Sequence, residues 1–256
     1  MGMELRVLGC SGGIGGKRRT TALLLNGEVL IDAGSGVMDL GLDEMARIRH
    51  IFLTHSHLDH LLAIPLLLDS IFERIKAPVT IHAQPHTIKA LREHIFNWII
   101  WPDFSELPNK QHPVVSFKPM RPGECRELGA LSLEMIPVNH IVPAVAYAIH
   151  YPGGILAFSG DTTSNDSLWQ GLNALPRLDH LIVEVAFPSK DLSMCEMARH
   201  YCPQLLAEDL LKLQHQPQIY LSHAKPGAEE TIFAECHQLI TKRPLSALTG
   251  GEVLAL

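Results

Sequence analysis

The stretch RHIFLTHSHLDHLLAIPLLL, residues 49–68, constrains the fold more than any other, because three histidines and an aspartate fill the six positions from His55 to His60 between two apolar runs. Apolar neighbours predict burial, yet imidazoles and a carboxylate are costly to bury without partners. A divalent cation is the partner that suits this set. The run before His55 reads as a strand whose side chains alternate faces, so His55 and His57 can project to one side of an extended segment. Asp59 and His60 come where the chain turns into a helix and can reach a second cation close to the first.

One cluster cannot complete two such sites, since each takes about three protein ligands plus a water. The rest of the chain offers them at strand ends: His140 closes LEMIPVNH, Asp161 closes ILAFSGD and His223 closes IYLSH. Two cations roughly 3.5–4 Å apart lower the pKa of a shared water and stabilise both ends of an in-line displacement, which favours hydrolysis over redox work. Histidine and aspartate ligation without a nearby thiolate suits Zn2+ best, with Mn2+ or Fe2+ also accommodated. The remaining histidines (His50, His82, His86, His94, His112, His150, His180, His200, His215 and His237) each stand alone and read as ordinary core or surface residues.

Composition bounds the rest. With 256 residues, of which 46% are hydrophobic, the chain can bury a full core without a disulfide or a structural metal, and residues 1–256 read as one domain. A formal charge of −6, with Lys17, Arg18 and Arg19 as the one basic block, argues against a nucleic-acid partner and for a small substrate. Five cysteines without a CxxC pair point to reduced thiols. The start carries no basic-then-apolar leader, and the longest apolar run, Leu61 to Leu68, is far short of the ~20 residues that span a bilayer, so a soluble, cytoplasmic chain is expected.

Strand-like and helix-like stretches alternate throughout. MELRVLG, TALLLNG, EVLIDAG and RHIFLTH read as strands, with Asn26-Gly27 as a hairpin turn, followed by helices near 61–75 and 87–98. In the second half LSLEMIPVNH, AVAYAIHY, GILAFSGD, HLIVEVAF and QIYLSH read as strands, with helices near 194–214 and 228–240 and a short tail SALTGGEVLAL. Two strand-rich halves with helices outside predict an α/β fold, a four-layer αββα sandwich. Residues 99–126, rich in Pro and aromatics, read as a functional loop or a contact surface.

H-x-H-x-D-H, a later His, a Gly-Asp and a final His resemble the metal signature of the metallo-β-lactamase superfamily, and the Gly-rich LGCSGG and LIDAGSG, with Asp32 and Gly34, extend the likeness over nearly the whole chain. The resemblance implies that His55, His57 and His140 hold one metal, Asp59, His60 and His223 the other, and Asp161 bridges them. Within the superfamily, HLDHLLAIPLLLDS and His223-x-Lys225-Pro226 look like the class II 3',5'-cyclic nucleotide phosphodiesterases, with Ala63 and Ser70 at matching positions and Pro65 as a departure. This implies a cyclic AMP- or cyclic GMP-hydrolysing enzyme. The alternative is a tRNase Z-like endonuclease or another small-diester hydrolase. The first of these resembles the chain in LGCSGG, HSHLDH and SGDT, but Val183 replaces the His of its His-Glu-Ala-Thr element and Ala224-Lys225 replaces its Ser and Arg. A non-catalytic metal-binding scaffold is the alternative of another class.

Several residues keep two readings. Asp59 is expected to orient the nucleophile or accept its proton, and Lys225, two residues past His223, either neutralises a phosphoryl oxygen or is a solvated lysine. Glu184 either orients a ligand histidine or forms a structural ion pair. Arg18 and Arg19 on the Gly-rich loop either grip phosphate or tip a tight turn. Trp98, Trp101 and Phe104 either stack on a base or belong to the core or to a homodimer contact.

Overall fold

The computed structural model describes residues 2–256, arranged as two seven-stranded sheets packed face to face. The first half supplies β1 (Glu4–Gly9), β2 (Ala22–Leu25), β3 (Val29–Ile31), β4 (His50–Phe52), β5 (Val79–Ala83) and β6 (Val115–Pro119), and the second half β7 (Cys125–Leu128), β8 (Leu131–Pro137), β9 (Val145–Tyr151), β10 (Gly154–Phe158), β11 (His180–Glu184), β12 (Gln218–Ser222), β13 (Leu245–Ala247) and β14 (Val253–Ala255). The orders are β14-β1-β2-β3-β4-β5-β6 and β13-β12-β11-β10-β9-β8-β7. Each sheet is antiparallel on one side and parallel on the other, the change falling at β3 in the first and at β10 in the second.

Strand alternation builds the layers. On β3, Val29 and Ile31 point between the sheets while Leu30 points to the outer helices; on β10, Leu156 and Phe158 point inward while Ile155 and Ala157 point out. Three apolar clusters result, one between the sheets and one beneath each helical layer, so the sandwich is αββα as expected. At the predicted hairpin, Asn26 and Gly27 both have positive φ (49° and 71°), the signature of a type I′ turn between β2 and β3.

Three expectations are corrected. The helix expected over 61–75 is broken into Leu58–Leu61 and Ala63–Ser70, and Pro65, whose ring crowds the carbonyl four residues back, accounts for the break. The helix expected over 194–214 is two, Leu192–Ala198 and Pro203–Asp209, because Arg199 turns into the left-handed region and Pro203 starts a new helix. Residues 99–126 are not one loop: they contain β6, which extends the first sheet, and Phe104 lies 3% exposed in its core, out of reach of any base. Trp101 packs on that core, while Trp98 stays exposed with φ 64°. Among the described residues no helix is long and apolar enough to cross a membrane.

Candidate metal centre

Chain segments leaving the carboxyl ends of β3, β4, β8, β10 and β12 meet at one rim of the sandwich, where Asp32, His55, His140, Asp161 and His223 project. His57 is the N-cap of the short helix Leu58–Leu61, which carries Asp59 and His60. Two glycines let these segments close up. At Gly34 a Cβ would lie 2.3 Å from the Asp59 carbonyl oxygen, and Gly160, just before Asp161, has φ 58°.

The sequence-predicted residues fall into two groups, His55–His57–His140–Asp161 and Asp59–His60–Asp161–His223, in each of which the candidate ligand atoms lie within 4.8 Å of one another. Asp161 belongs to both. Its Oδ2 lies 3.2 Å from His60 Nε2, 3.2 Å from His223 Nε2 and 3.7 Å from His55 Nε2. In the first group His140 Nε2 and His57 Nδ1 face each other at 3.2 Å. In the second, Asp59 Oδ2 is 3.7 Å from His60 Nε2 and 4.0 Å from His223 Nε2. Ligands about 2.0–2.2 Å from a tetrahedral ion stand roughly 3.3–3.6 Å apart, so these spacings fit.

The second nitrogen of each ring explains the orientation. Asp32, fully buried with φ 56°, accepts from His60 Nδ1 (2.7 Å), from the Thr54 backbone N–H (2.8 Å) and from the Thr54 hydroxyl (2.8 Å). That hydroxyl, its proton given to Asp32, accepts from His55 Nδ1 at 2.9 Å. His140 Nδ1 donates to the Arg199 carbonyl (2.8 Å), and His223 Nδ1 faces the Thr21 hydroxyl (3.3 Å). With Nδ1 occupied, the lone pairs of Nε2 are what remain. Among the described residues, His55, His60 and His223 leave Nε2 buried without a hydrogen-bond partner, an expensive arrangement in an ion-free core and the natural one around a cation.

Electrostatics agree with that division at His55, His140 and His223. Burial pulls His55 and His223 well below the ordinary imidazole range, and it takes His140 down to about 4, so these rings are neutral donors. Burial opposes a charge on His60 too, but Asp161 and Asp32 outweigh it and hold its pKa well above the usual value. Asp161 is held well below the usual carboxylate range, its burial outweighed by His223 and His60.

One residue at the centre was not expected. His200, read from sequence as a lone histidine, stacks on His223 (ring centroids 5.4 Å apart, 21°) and stands edge-on to His140 at 5.0 Å. Its Nδ1 donates to Glu184 Oε1 at 2.7 Å. Glu184, 1% exposed, also accepts from the Thr162 and Tyr201 N–H groups, so among the described residues it grips His200 and the residue after Asp161 rather than a ligand histidine. Burial resists a charge on His200, yet Glu184 beside it raises its pKa. The signal in the sequence was Glu184 itself, a carboxylate inside HLIVEVAF that needs a buried cationic partner.

Lys225 donates to the Gly12 carbonyl at 2.9 Å, with its ammonium 5.9 Å from the centre of the Phe187 ring, so it is neither free nor simply solvated. Arg18 pairs with Glu229 and Arg19 with Asp39, which turns the basic tip of the Gly-rich loop towards acids of this chain.

The pattern of the beta-lactamase superfamily domain matches residues 28–224. A Yersinia pestis protein described as a probable 3',5'-cyclic-nucleotide phosphodiesterase is 28% identical over 233 residues, 82% of this chain and 64% of that protein. A Ribonuclease Z of Methanococcus maripaludis is 32% identical over 154 residues, 57% of this chain and 48% of that one. The chain thus spans less than two thirds of the length of these relatives. Among solved structures, unliganded yeast PDE1 superposes with a TM-score of 0.84 at 18% identity, over 100% of both chains.

Proposed function

This chain belongs to the metallo-β-lactamase superfamily as a beta-lactamase superfamily domain, and on that premise we propose that it is a single-domain, binuclear-metal phosphodiesterase hydrolysing 3',5'-cyclic nucleotides to 5'-nucleotides. The observation that carries the reading is the pair of ligand groups sharing Asp161, with the Nε2 atoms of His55, His60 and His223 left free to face it. The phosphodiesterase names of the relatives support the choice of substrate.

In this reading His55, His57 and His140 would hold one ion and Asp59, His60 and His223 the other, with Asp161 common to both groups, and Zn2+ would suit the donors best. Two such ions, when bound, would supply Lewis acidity and an activated water for in-line attack. Asp59, its side chain 32% exposed, orients that water and takes its proton. His200, its Nδ1 committed to Glu184, keeps Nε2 as the atom that hands a proton to the departing 3'-oxygen. Lys225 adds positive potential beside His223 and His200.

Hydrolysis of cyclic AMP and cyclic GMP beside bis(p-nitrophenyl) phosphate, with zinc- or manganese-loaded protein and D161A as control, tests the reading. Cyclic-nucleotide turnover that disappears in D161A is expected. Turnover of the artificial diester alone would reject cyclic nucleotides, and cleavage of RNA in their place would move the chain towards the function named in its Ribonuclease Z relatives.

A further inference from the structure

The turn between the helices Leu192–Ala198 and Pro203–Asp209 touches the centre without supplying a ligand to it in the reading above. Its backbone is fixed from several sides. Arg199 N–H bonds to the Glu196 carbonyl (3.2 Å) and His200 N–H to the Cys195 carbonyl (3.0 Å). Tyr201 reaches the buried carboxylate of Asp209 through its hydroxyl (2.7 Å), and Trp169 Nε1 donates to that same carboxylate (3.0 Å).

On this rigid base Arg199 contacts one ligand segment through both its backbone and its side chain. Its carbonyl oxygen accepts from His140 Nδ1 at 2.8 Å, and its guanidinium Nη1 donates to the His140 carbonyl at 2.8 Å and lies 3.4 Å from Asn139 Oδ1. The ring and the peptide of His140 are therefore both gripped by a single residue. Arg199 does this with φ 51°, a region that glycine adopts freely and that residues with a Cβ avoid. A helix end that needed only the turn would be served better by glycine. The side chain is the reason for the strained residue.

His140 also differs from the other ligands in where its anchor comes from. His55 and His60 take their orientation from the buried Asp32 and Thr54, which follow β3 and β4, whereas His140 lies in the connection between β8 and β9.

We propose that Arg199 is the positioning residue of the His55–His57–His140 group, locking the His140 imidazole so that Nε2 faces His57 and Asp161. The inference rests on the reading of these residues as a metal centre. It places control of one ion, and not of the other, on a residue outside the ligand set, since the Asp59–His60–His223 group is oriented by Asp32 and Thr21.

The test compares R199G, R199A and R199K by zinc titration against a competing chelator and by native mass spectrometry, with thermal melting alongside. R199G keeps the turn and the backbone acceptor while removing the guanidinium. The expected result is two ions in the natural protein, and in R199G a loss of about 10- to 100-fold in affinity for one ion only, as for other partners of ligand histidines. Its melting temperature should hold or rise. R199K should fall between, and added guanidinium ion should restore part of the lost affinity in R199G. Equal zinc affinity in R199G and the natural protein, or an equal loss for both ions, would overturn the role of Arg199. A natural protein that binds no zinc would remove the metal-centre reading and this inference with it.

Discussion

Two groups of histidines pack together among the described residues, and one of them has the geometry of a metal centre. At the rim, each buried imidazole has Nδ1 held by a partner, and the Nε2 atoms converge on Asp161. Away from it, His50 and His82 share a hydrogen bond of 3.1 Å, and His82 stacks flat on Phe52 at 4.3 Å. Burial and the neighbouring His50, Arg126 and Lys118 push His82 down to about 3, with no carboxylate among the causes. Buried imidazoles alone therefore do not mark a ligand set. What marks it is one nitrogen anchored and the other aimed at a shared acid, which costs free energy unless a cation is present.

The contrast can be broken from either side. D161A removes the acid common to both ligand groups, and the expected result is loss of both ions by native mass spectrometry with turnover at background. H200Q leaves every proposed ligand in place; turnover of a diester should fall by about 10²–10⁴-fold, the usual worth of a general acid or base, while zinc stoichiometry stays the same. Loss of zinc in H200Q would instead make the residue a structural support. D32N keeps the shape of the carboxylate but weakens its hold on His60 and, through Thr54, on His55. Zinc affinity at both sites should drop by about 10–100-fold, measured by chelator competition. That is the double loss expected not to occur in R199G.

The smallest effect belongs to the other pair. His82 goes from an ordinary value of 6.5 to about 3 on folding, so the unfolded chain binds the extra proton as pH falls. Stability tied to the neutral ring is full above pH 6.5 and is lost as pH falls towards 3. H82F keeps the stacking on Phe52 and removes the proton site. Its urea midpoint should decline less steeply than that of the natural protein below about pH 6.5, with zinc binding and turnover unchanged. A change in turnover would show the two groups to be coupled.

How much of this was legible in sequence follows from how local each signal is. The H-x-H-x-D-H run and the ligands closing apolar strands are short-range patterns, and the layers follow from alternation, so both could be read directly. His200 could not. Its place depends on a turn made by Arg199 and on a carboxylate that precedes it on another strand, contacts set by packing and not by spacing. The helix expected over 194–214 failed for a related reason: its apolar periodicity runs on, and the signal that should have divided it was Pro203, a residue suited to a first helical turn. Phe104 looked like one of a set with Trp98 and Trp101, yet its carbonyl accepts from the Val114 and Val115 N–H groups at the head of β6 and its ring is buried in the core. The tail was read as one piece but supplies a strand to each sheet, β13 and β14, with Gly251 turning between them at φ 90°.

That last connection bears on how the molecule is assembled in time. β1 pairs with β14, so the flank of the first sheet built by residues 4–6 stays bare until residues 253–255 arrive. A chain emerging from the ribosome carries this open edge until β14 has appeared, while β7 to β12 follow one another and can pair as they appear. Closing the edge joins residues as far apart in sequence as Glu4 and Ala255, a slow kind of contact, and an uncovered strand is a template for the wrong partner in the interval. Trimming β14 should therefore lower the yield of soluble protein more than it lowers the stability of the molecules that do fold.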